Sequence, residues 1–396
     1  MPKTKIDYDV VVGGASISGL LTARELAKNG NSVLIVEEHK QVGIPEHCDG
    51  LVSKKALKDL SISPDDEFIQ TKINDVKLHS PSENELYVNS ENLQMIVLNR
   101  SKFDQHLANN VAQLGCEIYN STTVQNIEDH DDYSVVNTSN GNYTCKFFVD
   151  AMGCKSLLRE SKSGVLQAGK YIAKSSMFND HSIEIFFDQL VTPGFFKWII
   201  PMSNSEAKVG AAGKEINPFT VLDKLITDYD CHVIDKIAAP IIIRGPIDRF
   251  VFGNTVKVGD SAAQTKPSTA GGIYSGGRAG IIAGQNIHKA LYYNDRKYLL
   301  NYEKEWKKIF AREFNITKSA RTLFTKLDNN QIDIIFKELG DSPDLFSELG
   351  NTDFDFHSVF ILRALGVKRV FKMLKVFLDS ELYRYSLKFK SWFLEK

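Results

Sequence analysis

The segment from Val10 to Glu38, VVVGGASISGLLTARELAKNGNSVLIVEE, constrains the fold of this chain more than any other. Its pattern predicts a strand, a tight turn, a helix and a second strand that ends in an acid. The spacing Gly14-x-Ser16-x-x-Gly19, with Glu37 after the second strand, is typical of dinucleotide-binding folds. Such folds point a helix N-terminus at pyrophosphate and a carboxylate at a ribose. Ser16 replaces the middle glycine of the pattern, and an ordinary βαβ turn without ligand is the alternative interpretation.

A second glycine-rich segment, VKVGDSAAQTKPSTAGGIYSGGRAGIIAG, lies near the other end of the chain at residues 256–284. It predicts a strand that ends at Gly259-Asp260, a loop, and a helix after Gly271-Gly272. Glycines in such a loop admit a close backbone approach to a phosphorylated cofactor. We therefore expect the two segments to form one cofactor site.

Composition limits the remaining possibilities. The chain has 396 residues and 43% apolar content, enough for a large core and for two or three domains. A net charge of −1 argues against a nucleic-acid partner. The cysteines form no CxxC pair, and with no signal peptide they predict reduced thiols in a cytosol; they are Cys48, Cys116, Cys145, Cys154 and Cys231. No apolar run approaches the roughly eighteen residues that cross a bilayer.

Between the two glycine segments, short runs of alternating apolar and polar residues predict strands, and one longer run predicts a helix. Residues 72–88 predict antiparallel strands, and Asn140-Gly141 predicts a hairpin turn. A helix is predicted to begin near Arg100, with one apolar face formed by Phe103, Leu107, Val111 and Leu114. The Arg100 guanidinium can reach a phosphate or cofactor, or it is a solvated charge at a helix end.

Residues 170–250 are rich in predicted strands, with one helix at about 219–226. A broad sheet of this kind can form a platform over a substrate and a flat ring. The aromatic cluster of Phe195, Phe196 and Trp198 lies where such a sheet can face a cavity. Packing inside a twisted sheet is the alternative for these aromatic residues.

Taken together, these motifs resemble the flavoproteins with the para-hydroxybenzoate-hydroxylase type of FAD fold. Within that group they resemble the archaeal-type geranylgeranyl reductases, which saturate isoprenoid chains of membrane lipids. The resemblance covers about residues 8 to 290. Besides the N-terminal turn it is carried by the following segments: Pro45-Glu46-His47-Cys48-Asp49-Gly50-Leu51-Val52-Ser53, Arg100 with Phe103-Asp104, Asp150-Ala151-x-Gly153-x-x-Ser156-x-x-Arg159, Pro193-Gly194-x-x-x-Trp198-x-x-Pro201, and Gly259-Asp260 through Lys266-Pro267 to Gly271-Gly272-Ile273.

The resemblance implies an α/β fold, α+β overall, with three parts. A Rossmann-like FAD-binding domain of the glutathione-reductase type would comprise residues 1–70, 92–158 and 250–298. An antiparallel substrate domain would comprise residues 71–91 and 159–249. Residues 299–396 would form a helical C-terminal region.

The resemblance also implies roles for individual residues. Glu37 would bind the adenosine ribose, Val124 would meet adenine through its backbone, and Arg100 would contact the nucleotide. The pyrophosphate would lie at Ser18 and the neighbouring turn residues Gly14, Ala15 and Gly19. Asp260 would bind the ribityl or phosphate portion, and Gly271, Gly272 and Ile273 would face the isoalloxazine. Cys48, Asp49 and Gly50 would lie beside the flavin ring, and Phe196, Trp198 and Pro201 would line the substrate cavity. No metal site is implied.

An isolated alkene has no adjacent carbonyl to polarise it, so hydride delivery from FAD must be coupled to protonation of the other carbon. Cys48 is the candidate proton source, with His47 and Asp49 as neighbours that tune it. A small thiol that only packs beside the flavin is the alternative for Cys48.

The predicted function is therefore an FAD-dependent reductase of geranylgeranyl chains in isoprenoid ether phospholipids. The alternatives are a flavin monooxygenase or halogenase on the same fold, and an electron-transfer flavoprotein dehydrogenase. No second glycine fingerprint for a nicotinamide is visible, so ferredoxin, NAD(P)H and quinol all stay open as the external electron donor.

The C-terminal tail predicts a basic amphipathic helix between Gly366 and Asp379. Its apolar stripe is Val367, Val370, Phe371, Leu374, Phe377 and Leu378, and Lys368, Lys372 and Lys375 lie opposite. Such a helix within residues 357–396 can lie on an anionic membrane, or it can pack on the protein's own core. We expect a cytoplasmic protein, with peripheral attachment to the inner face of the cell membrane as the further option.

Overall fold

The computed structural model describes residues 5–64, 67–89, 91–203, 205–341 and 353–364. Its strands, in chain order, are β1 Tyr8–Gly13, β2 Val33–Val36, β3 Leu51–Ser53, β4 Ile69–Ile73, β5 Asp75–His79, β6 Glu85–Asn89, β7 Met95–Leu98, β8 Glu117–Tyr119, β9 Val124–Asp129, β10 Ser134–Thr138, β11 Gly141–Asp150, β12 Val165–Lys174, β13 Ser182–Phe186, β14 Lys197–Ser203, β15 Glu206–Gly213, β16 His232–Ala238, β17 Ile241–Ile242, β18 Val251–Phe252 and β19 Thr255–Lys257. Its helices are α1 Ile17–Ala27, α2 Lys54–Asp59, α3 Arg100–Gln113, α4 Cys154–Glu160, α5 Pro218–Asp228, α6 Ile273–Tyr292, α7 Lys297–Phe324, α8 Asn329–Gly340 and α9 His357–Ala364, with 3-10 turns at Glu91–Leu93 and Gly259–Ala262.

The first sheet contains the predicted βαβ unit. Its order is β18-β19-β11-β1-β2-β8, and β10 and β9 extend it from β11. Strand β1 pairs in parallel with both β2 and β11, so the ends of three strands meet beside the turn before α1. Residues 10–13 of β1 and all of β2 are buried because these valine-rich runs are covered on both faces. The hairpin predicted at Asn140-Gly141 is confirmed by the pairing of β10 with β11.

The second sheet, here called the platform sheet, has the order β16-β12-β15-β14-β13-β5-β6, with β17 beside β12. It is antiparallel except for the pairing of β13 with β5. Helix α5 covers one face of it through Leu222 and Leu225. A small third sheet, β3-β7-β4, packs against β14 of the platform sheet and against α6.

Helix α7 packs along the first sheet and α6. Its inner face consists of Tyr302, Trp306, Phe310 and Phe314, spaced four residues apart and all buried. The Trp306 indole Nε1 donates to the Ser275 carbonyl at 3.0 Å and so fixes the first turn of α6.

One helix face differs from the prediction. Phe103, Leu107 and Val111 of α3 are buried as expected, but Leu114 is 42% exposed. The helix ends at Gln113, so Leu114 is its C-cap and leaves the buried face. The predicted amphipathic helix at 366–379 lies outside the described residues. Among the helices that are described, none has the length and apolarity needed to cross a bilayer.

Candidate functional site

The turn before α1 depends on two glycines. Gly14 has a φ of +103°, and a Cβ at this position would overlap the Ala151 carbonyl. A Cβ at Gly19 would overlap the Gly14 carbonyl oxygen. The amide of Gly14 donates to the Val36 carbonyl at 2.8 Å and joins the turn to β2. The sequence thus adopts the tight strand-to-helix turn that leaves the N-terminus of α1 open.

Glu37 lies directly against this turn. Its Oε2 atom accepts a hydrogen bond from the Ala15 amide at 2.8 Å, and its Oε1 atom contacts the amide and ring of His39. Val124 begins β9 nearby, because the Thr122 amide donates to the Glu37 carbonyl at 2.8 Å. Val124 is buried, and it pairs with Thr138 of β10.

The second glycine segment packs on the first. Ser18 lies against Gly259, whose φ is +64°, and against Gly276. One turn later Gly280 meets the Ser18 carbonyl, and a Cβ at Gly284 would lie 2.7 Å from the Thr22 carbonyl oxygen. Because both helices advance in the same direction along this contact, the N-termini of α1 and α6 open on the same cleft. Helix N-termini attract anions, so the cleft suits a pyrophosphate.

Asp260 lies at the wall of this cleft. Its side chain is exposed, yet the surrounding protein raises the pKa of its carboxyl by desolvation, which the Arg100 cation partly opposes. Exposure together with desolvation is expected for a group that lines a deep cleft. A Cβ at Gly272 would lie 3.3 Å from the Asp260 Oδ1 atom, so the carboxylate and the Gly271-Gly272 turn are neighbours. Ile273 begins α6 there and is buried.

Arg100 occupies the first position of α3 and is buried. Its Nη2 atom contacts the Asp104 carboxylate at 2.8 Å and donates to the Ser16 hydroxyl at 3.0 Å. Burial opposes the charge, but the Asp104 carboxylate and the Cys48 sulfur raise the pKa of Arg100. Its Nε atom is buried and has no hydrogen-bond partner within the part of the chain that the structure describes. That donor is left for a ligand acceptor, and the solvated alternative for Arg100 does not fit its burial.

The segment Glu46–Gly50 carries Cys48 to the cleft. The Cys48 side chain is exposed, and the Gly50 amide donates to its Sγ atom at 3.4 Å. Gly50 has a φ of +82°, and a Cβ there would overlap the Leu98 carbonyl. Burial lowers the pKa of His47, and the neighbouring His39 and Lys170 side chains add to that shift.

Two buried lysines of the platform sheet hold this segment. Lys170 donates to the Asp49 carboxylate at 2.9 Å and to the His47 carbonyl at 3.1 Å. Lys208 donates to the Glu46 carboxylate at 2.6 Å and to the Asp49 carbonyl at 2.9 Å. Sequence reasoning missed both residues. The signal was a lysine at 170 and at 208 within otherwise apolar stretches, YIA and VGAA, where an unpaired charge would be costly.

The aromatic cluster lies at the junction of the platform sheet and the third sheet. The rings of Phe195 and Phe196 stack at 4.0 Å, and both meet the Trp198 indole edge-on. Trp198 is 8% exposed and lies directly over Gly210 of β15, where a Cβ would overlap the indole. Pro201 is buried opposite Ala207 on the other face of β14, which packs against α5, so the prediction that it lines one cavity with Trp198 is wrong. Phe196 is the half-buried member of the set.

These features fit FAD. The open turn at Gly14, the unpaired Arg100 Nε atom and the cleft-lining Asp260 provide a helix N-terminus, a cation and a hydroxyl acceptor along one path. Glu37 lies at one end of that path, and Gly272 and Cys48 lie towards the other. Bound FAD would supply hydride chemistry at the second end.

Comparisons with known proteins agree. Residues 7–215 match the family model described as the FAD binding domain. An uncharacterised protein of Methanocaldococcus jannaschii is 30% identical over 93% of this chain and 98% of its own length. The digeranylgeranylglycerophospholipid reductase of the same organism is 28% identical over 85% of this chain and 92% of its own. A second digeranylgeranylglycerophospholipid reductase, from Methanothermobacter thermautotrophicus, is 25% identical over 84% of this chain and 91% of its own length.

Solved structures share the fold. A geranylgeranyl bacteriochlorophyll reductase-like protein of Thermoplasma acidophilum superimposes with a TM-score of 0.82 at 22% identity, over 93% of this chain and 98% of its own. A flavin-dependent brominase superimposes with a TM-score of 0.67 at 18% identity, over 92% of this chain and 99% of its own.

The resemblance to archaeal geranylgeranyl reductases and the predicted fold class are thereby confirmed. The chain belongs to the FAD binding domain family and is an FAD-dependent oxidoreductase.

Proposed function

We propose that the protein uses FAD to hydrogenate isolated C=C bonds in geranylgeranyl chains of isoprenoid ether phospholipids. The observation that carries the proposal is the Glu46–Gly50 segment, which Lys170 and Lys208 hold with the Cys48 thiol open to the cleft. The names of the archaeal reductases that match along most of this chain support the lipid substrate.

The chain's own residues would divide the work. Gly14, Ala15, Ser18 and Gly19 would bind the pyrophosphate, with Glu37 on the ribose and the Val124 backbone at adenine. Arg100 and Asp260 would bind the middle of the cofactor, and Gly271, Gly272 and Ile273 would orient the flavin ring. Asp49 and Gly50 would lie beside that ring.

Cys48 would deliver the proton that an unpolarised alkene needs. Its Sγ atom interacts with the Arg100 guanidinium and with the Gly50 amide, so the thiol has a fixed position at the cleft. Proton transfer requires such fixed geometry before it requires a matched pKa. The platform sheet would exclude water, with Phe196 and Trp198 as an apolar wall for the prenyl chain.

The partners of the reaction follow from this chemistry. The substrate would be a prenylated lipid, and an external donor, either ferredoxin, NAD(P)H or a quinol, would reduce the FAD. A protein that takes substrate from a bilayer gains from peripheral contact with the cytoplasmic membrane face, for which residues 357–396 are the proposed surface.

The proposal is tested by mass spectrometry. Dithionite-reduced protein is incubated without oxygen with unsaturated prenyl diethers, and the added hydrogens are counted. A gain of two mass units per reduced bond supports the proposal. No gain by any prenyl lipid, together with oxygen consumption coupled to an aromatic substrate, would instead identify a monooxygenase or halogenase, as the brominase fold allows.

A further inference from the structure

Lys266 is a buried cation beside the Gly271-Gly272 turn. Its backbone amide donates to the Gly271 carbonyl at 2.9 Å, and the Ala270 amide donates back to the Lys266 carbonyl at 2.8 Å. The side chain folds over this closed loop, because a Cβ at Gly271 would lie 2.9 Å from the lysine Cε atom and 3.6 Å from Nζ. Lys266 is 7% exposed, so its charge is held inside the protein.

The groups around this cation come from a distant part of the chain. The Nζ atom lies 3.2 Å from His357 Nε2, 4.0 Å from Asp355 Oδ1 and 4.8 Å from the centre of the Phe354 ring. His357 Nδ1 in turn lies 2.8 Å from the Ser268 hydroxyl, which fits a neutral imidazole that accepts from the lysine and donates to the serine. Burial lowers the pKa of Lys266, and the carboxylates of Asp355, Glu313 and Asp353 oppose that shift.

The segment that carries these groups is firmly docked. The Ser53 hydroxyl donates to Asp355 Oδ2 at 2.6 Å. Glu313 of α7 accepts from the amides of His357 and Ser358 at 2.8 and 2.9 Å, which fixes the start of α9. Lys55 pairs with Asp353 at 2.6 Å on the surface. This many fixed partners around one lysine indicate a positioned charge and not a side chain buried by accident.

The direction of the cleft puts this charge at the flavin end. Glu37, at the turn before α1, marks the ribose end of a dinucleotide. From there the cleft runs past Ser18 and Gly259 to Asp260 and Gly272. Beside that turn lies an interior cavity of about 10 Å³, lined by Lys266, Gly271, Gly272, Asp355, Leu51 and the α7 side chains Phe310 and Phe314.

We propose that Lys266 sets the reduction potential of the bound FAD by stabilising the negative charge of its reduced ring, and that Asp355 limits this effect. The proposal deepens the proposed function because it rests on FAD lying in this cleft. Two electrons from the donor and one proton convert oxidised FAD into its reduced anion, so the ring gains one negative charge. A buried cation beside the ring favours that charged form, and a buried carboxylate disfavours it.

The test is an anaerobic redox titration at pH 7 against a reference dye, with purified protein that contains FAD. Lys266→Met removes the charge and keeps the length of the side chain, and Lys266→Arg keeps the charge. For Lys266→Met we expect the ratio of reduced to oxidised flavin at a fixed potential to fall at least tenfold, a shift of about 30 mV. Lys266→Arg is expected to stay within threefold of the wild-type ratio.

Asp355→Asn is expected to change the ratio of reduced to oxidised flavin in the opposite direction. It removes the nearest negative charge, while the new amide oxygen can still accept the hydrogen bond from Ser53. We expect the same ratio to rise. Glu215→Gln is the control: it removes a carboxylate that is 83% exposed and lies beside Lys214, outside the groups that surround Lys266, so the ratio stays unchanged.

Equal potentials for wild type, Lys266→Met and Asp355→Asn would overturn the inference. If Lys266→Met does not retain FAD, the sign of the Asp355→Asn shift decides alone, and a fall or no change contradicts the proposal. Failure of the proposed function gives a different result: the wild-type protein would carry FAD with these shifts and still reduce no prenyl lipid.

Discussion

The Nζ atom of Lys208 lies 2.6 Å from Oε1 of Glu46, although 162 residues separate them in the sequence. The lysine side chain is almost completely buried in the platform sheet and also donates to the Asp49 carbonyl. Burial lowers the pKa of Lys208, and the Glu46 carboxylate opposes that shift. The position of the Cys48 thiol therefore depends on a charge contributed by another sheet.

Replacing Lys208 by methionine leaves Glu46 without its partner in a largely buried place. We expect a loss of about 3 kcal/mol in the free energy of unfolding, measured by urea denaturation at pH 7. Lys214→Met is the control, because Lys214 is 73% exposed and its ion pair is with the exposed Glu215. Equal unfolding midpoints for the two variants would show that Lys208 does not hold the segment.

The contact between α1 and α6 has no room for side chains at its glycines. Gly280→Val would push the helices apart, because its Cβ would overlap the Ser18 carbonyl. We expect about 1–3 kcal/mol of destabilisation and at least tenfold weaker FAD binding, measured by fluorescence titration of the apoprotein. Lys289→Ala changes an exposed position of the same helix and is expected to bind FAD like wild type. Unchanged FAD affinity of Gly280→Val contradicts the shared site.

Two substitutions at Trp198 separate what ring packing and the buried indole N–H each contribute to the free energy of unfolding. Its Nε1 donor is buried without a hydrogen-bond partner among the described residues. Trp198→Phe removes that donor and keeps an aromatic ring over Gly210, so we expect a stability loss below about 1.5 kcal/mol. Trp198→Ala leaves a cavity and is expected to cost about 3–5 kcal/mol in the same urea experiment. Similar losses for both variants would mean that the indole nitrogen has a partner.

His357 predicts a dependence of stability on pH. Burial and the Lys266 cation lower the pKa of His357 well below its usual value of 6.5. The unfolded chain therefore binds a proton as pH falls below 6.5 while the folded protein does not, and the folded state loses stability in this range. Above pH 6.5 His357 is neutral in both states, so the stability that depends on it is fully present. We expect the free energy of unfolding to fall by up to about 1.4 kcal/mol per pH unit below 6.5 from this group alone.

The variant His357→Asn cannot take up that proton. Urea unfolding at pH 5.5 and pH 7.5 is expected to show a smaller difference for this variant than for wild type. An identical difference in the two proteins would assign the pH dependence to other groups.

Cys48→Ser tests the proton source. The substitution keeps the size and the Gly50 contact, so FAD binding is expected to stay within twofold of wild type. Alkene reduction by the dithionite-reduced protein is expected to slow at least a hundredfold, since general acid catalysis contributes roughly 10²–10⁴. Cys231→Ser alters a half-buried thiol in the platform region and serves as the control. Unchanged turnover of Cys48→Ser would leave the thiol with a packing role only.

Local patterns predicted much of the fold. The βαβ unit around Gly14 and Gly19, the hairpin at Asn140-Gly141 and the start of α3 at Arg100 all follow from spacing that neighbouring residues determine. Arg100 also shows where prediction from local sequence ends. The choice between a solvated charge and a ligand contact rests on its burial and on its Nε atom, which has no partner among the described residues.

The residues that hold the site in place could not be predicted from local sequence patterns. Lys170 and Lys208 bind a segment more than a hundred residues away, and His357 returns to Lys266 from the C-terminal region. A buried lysine in a strand predicts that a partner exists, but the identity of that partner depends on how distant segments pack. The shared direction of α1 and α6 likewise appears only once Ser18 meets Gly276 and Thr22 meets Gly284.

A single-turnover experiment tests the central claim most directly. Protein with fully reduced FAD is mixed without oxygen with one equivalent of an unsaturated prenyl diether. Flavin reoxidation is followed by absorbance, and the lipid product is followed by mass spectrometry. The proposed function predicts one FAD oxidised for each two hydrogens gained by the lipid. Flavin that stays reduced while the lipid mass is unchanged, across prenyl lipids of different length and head group, would contradict it.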